Sequence, residues 1–567
     1  MPHTFSLTPS DVLVIAGYFL LVIWIGMRYR RRMRDARDYF AGGHQIPWWL
    51  AGVSHYMSSF SALSFVAYAQ IGYTYGWVSV TLFWVTVPAC ILGGMIFARR
   101  WRQARVITPV EFLERRFNIG IRQLFAWAGI PMKVFEDGLK IFATSLFLTS
   151  SMGIAIHWAI LACGLVTILY TLLGGLWALT ITDYVQFLMK ILAMLLLLPL
   201  AIWHAGGMSA AFSHLPAGFL RPLNGPYSGI YLFGFAVLIA ISYNGSWALA
   251  QKYYSVQNEK DAAKAAYLSA ALNFVGAPIM ILPSIIGYKL LPDLVAQHHT
   301  ADAYVLLVLK LLPAGMIGVV IAALLSATMA TVSSDFSSIA SVLSEDVYHR
   351  LFRPAATPVH LLRAARVITV MVGLSSLSCS LWIAFSGEQS LLELMVTVAG
   401  VFLAPSYLPL LAALTVRRLT WKGALVGYCG GSACGLIMLL VRFSAASRHS
   451  DQWLRNFDGA SILLNTAATI MGLWMGSRFL REGNDERERI DRFFRELKVP
   501  LHAPQSSSRP EKEIAVITVA IGALLGVAGL CSASLGARAA DSIVALILVI
   551  IGLAMGRTAR SRAATLD

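Results

Sequence analysis

"ALTITDYVQFLMKILAMLLLLPLAI", residues 178–202, is nearly pure hydrocarbon over a membrane-crossing length and carries one full negative charge, Asp183, near its start. A helix of roughly 20 apolar residues spans the hydrocarbon core of a bilayer. A carboxylate at that depth costs about 3 kcal/mol or more unless a cation or a water-lined surface compensates it. The segment therefore reads as a span with a protein interior beside it, and the rest of the chain has to supply the compensation.

The surrounding composition agrees. The chain has 567 residues, of which 57% are hydrophobic and only 13% charged, with a mean hydropathy of +0.67. That much apolar surface calls for a lipid solvent. The net charge of +16 does not point to nucleic acid, because the arginines cluster in short loops between apolar spans, where they set topology. The six cysteines stand singly in apolar stretches and suggest neither disulfides nor a metal site. The N-terminus lacks the basic region of a cleaved signal.

Fifteen apolar segments are long enough, or nearly so, to cross, and fourteen if the short last one at 541–556 does not. The first is followed by "RYRRRMRDAR" (28–37), which belongs inside. Alternation from there places the N-terminus outside and the C-terminus inside, with one basic stretch (442–456) against the bias. Segment 479–513 interleaves Arg and Glu around Phe493 and Phe494 and reads as an interfacial or solvated helix followed by a linker. No complete nucleotide-binding, metalloprotease or nucleophile-elbow motif stands out, so neither an enzyme nor a primary pump is expected.

Three spans carry polar residues at membrane depth. "WWLAGVSHYMSSFSALSFVAYAQIGYTYG" (48–76) has serines through its middle, and "FGFAVLIAISYNGSWALAQKYY" (233–254) is interrupted at Asn244-Gly245-Ser246. Such breaks are tolerated only where the freed backbone faces protein or a cavity. In "AALLSATMATVSSDFSSIASVLSEDVYHR" (322–350), Thr331, Ser334, Ser338 and Ser341 recur at three- to four-residue spacing, lining one helix face with hydroxyls. Hydroxyl, carbonyl and carboxylate oxygens suit a small hard cation, and Asp183 would add a formal charge.

With its serine-rich helix after "DYFAGGHQIPWW" (38–49), its "YTLLGGLWALTITDYVQ" (170–186) and its "LLSATMATVSSDFSSIASVLSEDVY" (324–348), the chain resembles the sodium/solute symporter family over roughly residues 10–440. The resemblance implies an all-α polytopic membrane protein with 14–15 transmembrane helices. Its core would be a leucine-transporter-like five-plus-five inverted repeat with broken first and sixth core helices. Residues 48–203 would form core helices one to five, and 228–415 core helices six to ten. Residues 1–47 would add an extra helix and a basic loop, and 416–567 further spans with the cytoplasmic segment 479–513. Carried across, a first sodium site would use carbonyls of Met57, Phe60 and Ala327 and the hydroxyl of Thr331. Position 330 is Ala where the family usually has Ser, which removes one ligand. A possible second sodium site would use Asp183, Ser333 and Ser334, and Asp335 stands where a neutral residue is expected.

For the solute, the resemblance points to Ser58, Ser61, Gln70, Trp84, Glu136, Asn244, Trp247, Asn273 and Tyr407. Glu136 and Lys140 are spaced to pair with each other along their helix. The function implied is sodium-coupled symport of a small polar organic solute into the cell by alternating access, with Na+ as coupling ion, in the plasma (inner) membrane. Aromatic and hydroxyl-binding residues place a sugar or polyol ahead of a monocarboxylate, amino acid or vitamin, although Leu63-Ser64 replaces the Glu-Gln pair of sugar-carrying relatives. A proton-coupled symporter working through Asp183 and a transporter-like membrane sensor are the alternatives. A monomer suffices for such transport, and the partners expected are the solute and the bilayer, with no nucleic acid.

Overall fold

The computed structural model describes residues 9–30, 35–213, 215–294, 300, 303–312, 316–386, 391–445, 450–479, 483–501, 509–531 and parts of 542–557. Among these residues nine helices are long and apolar enough to cross a membrane, and the pair Gly229–Gly245 and Trp247–Tyr254, bent by 50°, supplies a tenth. Helices also fill Trp48–Ser58, Ala62–Tyr75, Ile119–Met152 and Arg509–Cys531, and Ile156–Leu172. Every one of the first fourteen expected segments is thus helical. The last expected span is described only in part, and both chain ends, on which the sidedness argument leans, lie outside the described residues.

Seven helices position the interior site: α1 (Trp48–Ser58), α2 (Ala62–Tyr75), α3 (Ile119–Met152), α4 (Gly174–His204), α5 (Gly229–Gly245), α6 (Trp247–Tyr254) and α7 (Met316–Ser341), and an eighth, α8 (Asn484–Lys498), lies outside it. α1 and α2 are two halves of one crossing, as are α5 and α6. α7 runs through the centre with every residue buried. A helix so rich in hydroxyls tolerates full burial because they bond back to its own carbonyls: Thr331 to Ala327 O at 3.1 Å, Ser338 to Asp335 O at 2.9 Å and Ser341 to Ser338 O at 2.7 Å.

α4 follows Ile156–Leu172 through Gly175, whose φ of 55° and ψ of −165° lie in a region open only to glycine. That kink turns Asp183 toward α1 and α7. Outside the core, Trp421–Ala445 and Asp451–Phe479 pack through glycines, and a Cβ on Gly472 would stand 2.8 Å from Gly427 Cα. Small residues let membrane helices approach this closely.

α8 differs from the expectation of a solvated or interfacial helix. It docks on protein, with Ile490, Phe493, Phe494 and Leu497 buried. The Phe493 ring stacks on Phe112 with centroids 6.0 Å apart, and Arg417 bonds Asp491 at 2.6 Å. The apolar stripe faces the short helix Phe112–Arg116 that precedes α3 and ends in the fully buried Arg116. That guanidinium donates to the carbonyls of Val416, Arg417 and Leu419, at the end of another span.

Candidate functional site

The two helix breaks face one cavity. Between α1 and α2 the chain is extended at Ser61 (φ −99°, ψ 170°), and between α5 and α6 at Ser246 (φ −60°, ψ 134°). Carbonyls released at the C-terminal end of a half-helix present negative charge, about half an elementary charge for a full helix, and favour a cation. The cavity has a volume of about 180 Å³ and is bounded by both breaks, by Thr331 and Asp335 of α7, and by Lys133, Glu136 and Lys140 of α3. Its walls carry the rings of Phe60, Tyr68, Phe83 and Tyr243 and the hydroxyls of Ser58, Ser59, Ser61 and Ser64.

One end of the cavity is a charge network. Lys133 Nζ lies 2.7 Å from Asp335 Oδ1 and Lys140 Nζ 2.8 Å from Asp335 Oδ2. Lys140 also reaches Asp137 at 3.2 Å, and Lys133 reaches Glu136 at 3.5 Å and Ser246 Oγ at 3.2 Å. The expected Glu136–Lys140 pair does not form. Both lysines turn toward Asp335, which α7 brings across, and each takes its second acid from an i,i+3 neighbour.

Asp183 is fully buried. It accepts a hydrogen bond from Ser54 of α1, and Lys252 Nζ of α6 stands 3.7 Å from its Oδ2. The compensating cation is therefore a lysine on the second broken helix. Lys252 also donates to Ser334 Oγ at 3.1 Å, and Ser334 shares a hydrogen bond with Ser58 Oγ at 2.9 Å. The Ser333 hydroxyl bonds Ala330 O at 3.2 Å and accepts from Tyr170.

Met57, Phe60, Ala327 and Thr331 are buried where the first break meets α7. Phe60 N donates to Met57 O at 3.3 Å. A third lysine, Lys190 of α4, lies behind the break, its Nζ 3.4 Å from the Phe60 ring centroid and 4.2 Å from that of Tyr56. This ammonium has no hydrogen-bond acceptor among the described residues.

Of the residues expected around a solute, Ser58, Ser61 and Glu136 line the cavity, Tyr407 meets its wall through a hydrogen bond with Lys133, and five others point elsewhere. Gln70 bonds Thr300 at 3.1 Å, and Trp84 donates to Phe274 O at 3.0 Å. The Asn244 amide is spent on Ala89 O and Ala240 O, and that of Asn273 on Ser269 O. Trp247 and Tyr407 are buried against Gly129 and Gly245. The residues the sequence reading passed over are Lys133, Lys190 and Lys252. Their signal was present, since each is a full charge inside an apolar segment.

Toward the basic loops, His44 Nδ1 sits 2.7 Å from Tyr254 O, next to α6. Burial pushes its imidazole down to about 4.

The profile of the sodium:solute symporter family matches residues 39–431, a stretch that holds both breaks, Asp183 and all of α7. The chain belongs to this family. It is 26% identical over 483 residues to the sodium/glucose cotransporter 2 of Rattus norvegicus, covering 77% of this chain and 72% of that one. The sodium/myo-inositol cotransporter 2 of Sus scrofa is 27% identical over 498 residues (79% and 72%). The sodium/sialic acid symporter SiaT of Proteus mirabilis is 23% identical over 452 residues (77% and 89%). Among solved structures, a substrate-bound, outward-open Na+-coupled sialic acid symporter superposes with a TM-score of 0.68 at 21% identity, covering 82% of this chain and 98% of that one. The symporter thus has a leucine-transporter-like core and takes sodium as its coupling ion.

Proposed function

We propose that this symporter carries a small, neutral, polyhydroxylated solute, a sugar or polyol, into the cell with sodium. The observation that supports it is the balance of the cavity wall. Its two cationic side chains, Lys133 and Lys140, are both engaged by Asp335, Glu136 and Asp137. No lysine in that network is left over for a carboxylate, while hydroxyls and ring faces remain for a sugar or polyol. Two of the relatives are by name glucose and myo-inositol cotransporters, which fits the same chemistry.

Sodium would sit where the first break meets α7, on the carbonyls of Met57, Phe60 and Ala327 and the hydroxyl of Thr331. Ala330 contributes no side-chain oxygen, and a water would complete the shell. Each inward sodium yields about 2.3 kcal/mol per 100 mV and about 1.4 kcal/mol for a tenfold gradient. One ion therefore supports roughly 500-fold accumulation of a neutral solute. The test is thermal stabilisation of the purified protein by glucose, myo-inositol and sialic acid, in sodium and then in choline. Stabilisation by a neutral hexose or cyclitol in sodium alone is the expected result. Stabilisation by the anionic sugar alone would refute the neutral-solute reading.

A further inference from the structure

The resemblance points to a second oxygen cluster, Asp183 with Ser333 and Ser334, and that cluster already touches a cation belonging to the chain. Lys252 Nζ bridges Asp183 Oδ2 and Ser334 Oγ, at 3.7 and 3.1 Å. All three residues are wholly buried. Of the other oxygens, only Asp183 Oδ1 lacks a partner among the described residues: Ser54 donates to Oδ2, Ser58 shares Ser334, and Ser333 is held between Ala330 O and Tyr170. Position 330, which could have added a hydroxyl to this cluster, is an alanine. A monovalent ion entering here would meet one carboxylate already neutralised by an ammonium, with too few free oxygens to replace its hydration shell.

We propose that the Lys252 ammonium is the resident cation of the Asp183–Ser334 cluster, so that this symporter binds one sodium ion per chain rather than two. The proposal rests on the sodium reading given above. Lys252 is carried by α6, the inner half of the second broken helix, whereas Asp183 and Ser334 lie on α4 and α7. The tethered charge therefore clamps that half-helix to its neighbours, and no ion has to arrive first.

The experiment counts ²²Na+ bound per chain on the purified full-length protein, with choline as the replacing cation and no solute present. One ion per wild-type chain is expected at saturation; at the wild type's half-saturating sodium, Thr331→Ala should bind several-fold less, whereas Asp183→Asn should bind as the wild type does. Lys252→Ala is expected to expose the carboxylate and raise the count to two. The paired variant Asp183→Asn/Lys252→Met removes both charges together, and its expected count is one even if a single variant does not fold. Two ions on the wild type overturn the proposal. So does a single ion that is lost in Asp183→Asn but kept in Thr331→Ala. A wild type that binds no sodium at any concentration refutes the sodium reading itself, an outcome distinct from either count.

Discussion

Replacing Asp335 by Asn tests the charge network at its centre. Asp335 accepts from Lys133 at 2.7 Å and from Lys140 at 2.8 Å, and the three side chains are only 4–10% exposed. Solvent screening is therefore slight. Two charge-assisted hydrogen bonds at about 1.5–3 kcal/mol each give about 3–6 kcal/mol. Removing one partner from a buried ion pair independently costs about 3–5 kcal/mol, so Asp335→Asn should destabilise by about 4 kcal/mol. Lys140→Gln leaves Asp335 paired with Lys133 and should cost about 2 kcal/mol. The double variant should then be milder than the sum by about 1.5–3 kcal/mol, because the second change removes a charge that the first left unpaired. Denaturant unfolding of the four proteins in one detergent closes the cycle. The same Asn leaves the cavity one negative charge short, so sialic acid should gain on myo-inositol as a stabilising ligand. Additive single effects, or an unchanged anion preference, would refute the claim that Asp335 neutralises both lysines.

Thr331→Ala should raise the half-saturating sodium concentration about tenfold, the equivalent of one lost hydroxyl ligand. Ala330→Ser should lower it, and sodium-dependent thermal stability reads both. Lys190→Met should leave stability unchanged or raise it by about 1–3 kcal/mol, because the ammonium it removes has ring faces but no acceptor around it; a large loss on thermal unfolding would reveal a partner. Burial holds the folded-state pKa of His44 down to about 4, against the ordinary imidazole value of 6.5, so the unfolded chain binds the proton first. Its contribution is fully present above about pH 6.5, declines as pH falls toward 4, and amounts to about 3 kcal/mol. His44→Gln should flatten that window in a pH series of unfolding midpoints. With a neutral solute and one sodium, reconstituted protein should pass one inward charge per solute; a count of two would contradict the single-ion reading.

The positions of the spans and of both breaks were legible because membrane depth penalises polar backbone and charge wherever they fall in the sequence. A run of serines at 54–64 and Asn-Gly-Ser at 244–246 have few other uses inside a bilayer. What completes those features was not legible. Asp183 demanded a cation, but Lys252 is brought to it because α4 and α6 both pack on α1 and α7, and nothing local links the two positions. On α3, Lys140 has acids within reach at positions 136 and 137, and a third partner on α7 decided between them. Asn244 and Asn273 are residues a solute site would use, yet each amide also finds the carbonyl four residues back in its own helix. In lipid that local bond wins unless a cavity draws the side chain away.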